Sequence, residues 1–107
     1  METVVISLGG SLIVPDKINI EWLREFKQII EGMFEKHRFI IICGGGKTAR
    51  DYQNAAKEIV ELDNEDLDWL GIYATRLNAH LLRTVFRESA HPQIIKDPTL
   101  EIDFSIK

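Results

Sequence analysis

Thr3-Val4-Val5-Ile6-Ser7-Leu8 is β-branched, almost unbroken in apolarity and stopped by Gly9-Gly10, the pattern of a strand covered on both faces. Past a loop carrying Pro15, Asn19 is placed to cap a helix predicted from about Ile20 to Lys36. Leu23, Phe26, Ile29, Ile30, Met33 and Phe34 recur along it at helical steps. Arg38 leads into Phe39-Ile40-Ile41-Ile42-Cys43, a second buried-strand signal ended by Gly44-Gly45-Gly46. Strand, helix and strand with a crossover of this length imply parallel pairing and a right-handed connection.

A second helix is predicted from about Lys47 to Leu62, burying Tyr52, Ala55, Ala56, Ile59 and Val60. The acidic cluster Asp63 to Asp66 separates it from a third, expected to be capped by Asn64 and to extend to about Glu88. Leu67, Leu70, Ala74, Leu77, Leu81 and Val85 form its expected inward stripe. Trp69, Ile72 and Tyr73 place large apolar groups on its other faces, as in a helix held inside a larger fold or used in an oligomer contact. Pro92-Gln93-Ile94-Ile95 reads as a short strand, and Leu100, Ile102, Phe104 and Ile106 alternate with polar residues like an edge strand. An alternating apolar segment at the end of the sequence is expected of a chain that forms part of a larger domain.

The length of 107 residues suits a single compact domain. Thirteen basic against 17 acidic residues give a net charge of −4, which argues against a nucleic-acid module relying on a basic face. An anionic ligand must then be held by local devices, backbone N–H groups and one or two basic side chains. Cys43 is the single cysteine, which precludes an intrachain disulfide and favours a cytosolic, cytoplasmic setting. The longest purely apolar run, Phe39 to Cys43, is too short to span a bilayer. Acidic Glu2 and the absence of a basic leader argue against a signal peptide.

Two glycine turns carry the candidate chemistry: Gly9-Gly10-Ser11 and Gly44-Gly45-Gly46-Lys47-Thr48-Ala49-Arg50. In a parallel α/β sheet the carboxyl ends of the strands are where ligands sit. Glycine there lets the backbone approach a ligand, so that successive N–H groups converge on phosphate oxygens. The helix after Gly46 adds unpaired amides and the positive end of its dipole, and Arg50 in its opening turns adds a planar fork of donors. Gly46-Lys47-Thr48 matches the end of a P-loop, but Ile41 stands where that motif needs glycine. Gly44-x-Gly46-x-x-Ala49 fits a loose dinucleotide fingerprint, yet a helix rather than a ribose-binding strand end follows the next loop.

Asp68, Thr75 and Asn78 are secondary candidates on the helix starting at Asn64. Asp68 and Thr75 share one face, with Gly71 between them, although a solvated acid near a helix N-terminus is also what the dipole favours. Gly71 costs about 1 kcal/mol relative to alanine inside a helix, which implies a packing reason. His37, His80 and His91 have no metal-ligand spacing with Cys43 or each other, so no zinc site is expected.

Val5-Ile6-Ser7-Leu8-Gly9-Gly10-Ser11-Leu12, Ile42-Cys43-Gly44-Gly45-Gly46-Lys47-Thr48-Ala49-Arg50 and the run Asp68 to Ala79 resemble three ordered motifs of the amino-acid kinase superfamily. Within it they are most similar to archaeal-type uridylate kinases. The resemblance runs through nearly the whole chain but covers only the first half of the family's domain. It implies an α/β fold, a three-layer αβα sandwich with a mainly parallel sheet, here incomplete. It also implies transfer of the γ-phosphoryl of ATP, with Mg2+ accompanying the nucleotide, to UMP in pyrimidine synthesis. Gly9, Gly10 and Ser11 would then line the transferred phosphate, with Gly46 and Arg50 on the ATP side, and Gly45 and Asp68 would bind UMP. A homo-oligomer formed through the 64–88 helix is expected on the same basis.

Two departures accompany the resemblance. Many relatives carry lysine where this chain has Ser7, although archaeal-type uridylate kinases often lack it too. The later nucleotide-binding half is absent, so little or no activity is expected of these residues alone. Alternative readings are a superfamily member acting on a carboxylate, carbamate or isopentenyl phosphate, and a noncatalytic phosphate-binding or assembly module.

Overall fold

The computed structural model describes residues 2–90; the strands expected at Pro92–Ile95 and Leu100–Ile106 lie outside them. The chain order is β1 (Glu2–Leu8), α1 (Gly10–Ile13), α2 (Ile20–Glu31), β2 (His37–Cys43), α3 (Gly46–Ile59) and α4 (Asn64–Val85). β1 and β2 pair in parallel with Ile6 opposite Ile41 and Leu8 opposite Cys43, as the strand–helix–strand pattern requires. The brief α1, where a plain loop is expected, begins directly at Gly10.

Strand alternation decides which residues reach the core. Ile6, Leu8, Phe39, Ile41 and Cys43 lie on one face and join the cluster of Ile13, Val14, Leu23, Ile30, Leu82 and Phe86. α2 contributes Leu23 and Ile30, with Trp22 stacked on Phe26 at 4.9 Å and Phe26 edge-on to Phe86 at 6.1 Å. The opposite face differs from expectation: Val5 is 60% and Ile42 54% exposed, so the described elements cover one side of the sheet only. Residues apolar on both faces form a central strand's sequence on a sheet with one face covered.

Asn19 caps α2 as expected, its side chain accepting from the Trp22 amide at 3.1 Å. The helix stops at Glu31, short of Lys36, and Gly32 to Lys36 form tight turns that deliver the chain to His37. Ile29, on the outer side of α2, and Met33, in those turns, are exposed rather than inward. α4 is capped by Asp63, not Asn64. The extended backbone at Asp63 sets its carboxylate over the Asp66 amide at 2.9 Å, and Asn64 becomes the first helical residue.

α3 begins at Gly46 and ends at Ile59. Its predicted inward residues Tyr52, Ala55, Ile59 and Val60 are exposed, because α3 turns toward α4 a small-residue face of half-buried Ala49, Gln53 and Ala56. Gln53 Nε2 donates to the Leu67 carbonyl at 2.9 Å, and a Cβ on Gly71 would lie 3.4 Å from that nitrogen, an ordinary contact, so the described packing does not by itself require the glycine that the sequence places in this helix. On α4 the buried line is Ala74, Asn78, Leu82 and Phe86, at steps of four. Leu77 lies outside it, on the face of Trp69 and Tyr73. No helix among the described residues is long and apolar enough to cross a membrane.

Candidate functional site

The glycine turns meet at the carboxyl ends of β1 and β2. Their shared register carries one residue past the strands, where the Gly44 amide donates to the Leu8 carbonyl at 3.2 Å. Beyond that point backbone packs on backbone. A Cβ on Gly10 would overlap Gly44 and Gly46, one on Gly44 would lie 2.8 Å from the Gly10 nitrogen, and one on Gly46 would run into the Gly10 carbonyl. Gly46 also has φ of +60°, the left-handed region that a side chain disfavours. The Val14 amide donates to the Gly10 carbonyl at 2.8 Å and the Lys47 amide to the Val14 carbonyl at 3.0 Å, pinning α1 to the start of α3.

Gly9 is different. It has ordinary extended angles, and a Cβ there would meet nothing within 4 Å, so neither conformation nor packing within the chain requires glycine. Ser11 and Arg50 are exposed, and Arg50 has no ion pair among the described residues. The amides of Gly10, Ser11, Gly45 and Gly46 find no acceptor among the described residues. Unlike the Lys47 amide, they are left without an internal bond at one sheet edge.

Gly45 packs onto α4. A Cβ there would meet Ala49 at 2.6 Å and Ala74 at 3.4 Å, with the Gly71 carbonyl at 3.6 Å. Asp68 is exposed one turn before Gly71 on that helix, and half-buried Thr75 lies one turn after it. The second glycine turn thus rests on the part of α4 that the sequence marks out by Asp68, Gly71 and Thr75.

Three further features bear on the site. Asn78, a secondary candidate in the sequence, is buried and bonds the second glycine turn. Lys47 Nζ bonds both carboxylate oxygens of Asp51, at 2.9 and 2.8 Å, and lies 3.5 Å from Asp16. The Asp51 hydrogen bond raises its pKa above the usual lysine value, and the ammonium ties the loop after α1 to α3. The i,i+4 spacing to Asp51 is legible in the sequence, whereas the contact with Asp16 needs the fold. Cys43, half-buried behind Gly44, has its thiol pKa pushed up to about 11 by desolvation, which keeps it a thiol rather than a nucleophile near neutral pH. No group of three or more His, Cys, Asp or Glu side chains among the described residues is arranged to hold a metal.

The family model for the amino acid kinase family matches residues 2–101, and the chain belongs to that family. It is 37% identical over 95 residues to a uridylate kinase of Thermococcus sibiricus, covering 88% of this chain and 41% of that protein. A uridylate kinase of Thermoplasma acidophilum is 43% identical over 79 residues, covering 73% of this chain and 33% of the relative. The solved uridylate kinase of Archaeoglobus fulgidus superposes with a TM-score of 0.75 at 37% identity, over 91% of this chain and 42% of the other. The two-stranded parallel sheet with its helices is therefore part of the amino-acid kinase fold, and the chain spans about two-fifths of the length of the relatives it matches.

Proposed function

We propose that residues 1–107 are the acceptor-side portion of one amino-acid kinase-like domain, a uridylate kinase that moves the γ-phosphoryl of ATP to UMP in pyrimidine nucleotide synthesis in the cytoplasm. The observation that carries this reading is the meeting of Gly9-Gly10-Ser11 and Gly44-Gly45-Gly46 at one sheet edge with amides left free. Relatives named uridylate kinases support the choice of reaction. Gly9 supports it independently: a glycine that nothing among the described residues requires suits close approach by a ligand.

In this reading Gly9, Gly10 and Ser11 surround the phosphate in transfer, Gly46 and Arg50 contact ATP, and Gly45 and Asp68 hold UMP. Amides fixed before the substrates arrive stabilise charge spread over phosphoryl oxygens, which is most of what phosphoryl transfer asks of a protein. Mg2+ enters as the companion of ATP. Its charge is needed at the phosphates, and the residues described here supply no carboxylate cluster to hold it. Trp69, Ile72, Tyr73 and Leu77, exposed along α4, suit a homo-oligomer contact through the 64–88 helix.

UMP titration followed by amide resonances tests the reading. Shifts confined to Gly45, Asp68 and their neighbours are expected, together with no ADP formation from ATP and UMP by these residues alone. An unchanged spectrum at millimolar UMP overturns the acceptor assignment. Robust turnover overturns the assignment as a partial enzyme.

A further inference from the structure

Asn78 is the single buried polar residue among those described, 3% exposed, and it interrupts the apolar line of Ala74, Leu82 and Phe86 on α4. A buried amide is costly unless its hydrogen bonds are made. Its Nδ2 donates to two successive carbonyls of the second glycine turn, Gly44 at 2.9 Å and Gly45 at 3.0 Å. Both peptide planes are trans, so each carbonyl points opposite to the N–H of the following residue. Drawing the Gly44 and Gly45 oxygens toward α4 therefore turns the Gly45 and Gly46 amides away from it. Three consecutive glycines do not hold such an orientation by themselves.

We infer that Asn78 is a positioning residue for the phosphate site, fixing the direction of the Gly45 and Gly46 N–H donors before a ligand arrives. The inference rests on the nucleotide reading proposed above and assigns that site a determinant from outside the glycine turns. Asn78 itself touches no substrate; its contribution is to spare the turn the ordering that binding would otherwise demand.

The test compares Asn78→Leu, which continues the apolar stripe and removes both donors, with Asn78→Asp, which keeps the shape and replaces the donor with an acceptor. Without ligand, both are expected to move the Gly45 and Gly46 amide resonances while leaving the Leu23 and Ile30 methyls in place. Affinity for UMP and for ATP, each titrated separately, is expected to fall about fivefold in the folded leucine variant, the factor that goes with one hydrogen bond's net contribution. A folded leucine variant with unmoved glycine amides, or with undiminished binding, overturns the inference. Should the unaltered chain bind neither nucleotide, the proposed function fails and the ligand-free amide shifts alone decide the role of Asn78. Should Asn78→Leu not fold, the side-chain amide of the unaltered chain decides: slow hydrogen exchange is expected, and rapid exchange overturns the inference.

Discussion

The glycine edge and the outer flanks are built on opposite terms. At the edge, Gly10, Gly44 and Gly46 meet backbone to backbone, Asn78 bonds the turn from beneath and Val14 closes it from the side. On the flanks, Val5 and Ile42 lie open on the sheet, Tyr52 and Ile59 on α3, and Trp69, Tyr73 and Leu77 on α4. A small domain leaves isolated apolar residues exposed, but here they recur on four elements. The difference teaches that the glycine-turn end is complete in its local contacts, while the flanks are patterned for neighbours that the described residues do not supply.

Adjacent glycines offer the sharpest way to break that comparison. Gly10→Ala drives a Cβ into the backbone of Gly44 and Gly46, where neither side can yield cheaply, and should destabilise the fold by about 3 kcal/mol. Gly9→Ala enters open space with compatible angles and should change stability by no more than about 0.5 kcal/mol. Urea denaturation reads both, and equal losses would show that the edge is not sealed as described. The same Gly9→Ala protein should nonetheless lose affinity for ATP, since the added methyl occupies the approach assigned to the phosphate.

Core and flank separate within one helix as well. Leu82 is 5% and Leu77 60% exposed, though five residues apart both carry the same side chain. Leu82→Ala opens a cavity beneath Phe86 and should cost about 3 kcal/mol, whereas Leu77→Ala should stay within about 0.5 kcal/mol. A large loss at Leu77 in a concentration-dependent melt would instead locate a second copy on that face.

Strand order, parallel pairing and the meeting of the glycine turns were legible because each rests on a short-range signal: β-branched runs, glycine stops and a crossover of helical length. Burial along α3 and α4 was not. Hydrophobic periodicity reports which faces are apolar, not which are covered, so Tyr52, Ile59 and Leu77 read as inward although small residues and Asn78 make the actual contacts. The role of Asn78 was hidden for a related reason. Its partners are 33 and 34 residues away in the chain, and nothing local marks an asparagine on a helix as the support of a distant turn. The meeting of Gly10, Gly44 and Gly46 was readable because glycine in such turns answers to backbone contact, which sequence registers directly.

The cap of α4 provides the finest division between what spacing and geometry specify. Asp63 and Asn64 are both good capping residues, and the sequence alone leaves the choice between neighbours to backbone angles it does not contain. With ψ of 176° Asp63 stands outside the helix and reaches the Asp66 amide, while Asn64 has already joined the first turn. Asp63→Ala should therefore cost about 1 kcal/mol, and Asn64→Ala, exchanging a poor helix former for the best one, should be neutral or stabilise by a few tenths of a kcal/mol. Thermal melts of the two variants distinguish these outcomes, and the reverse order would move the start of α4 by one residue.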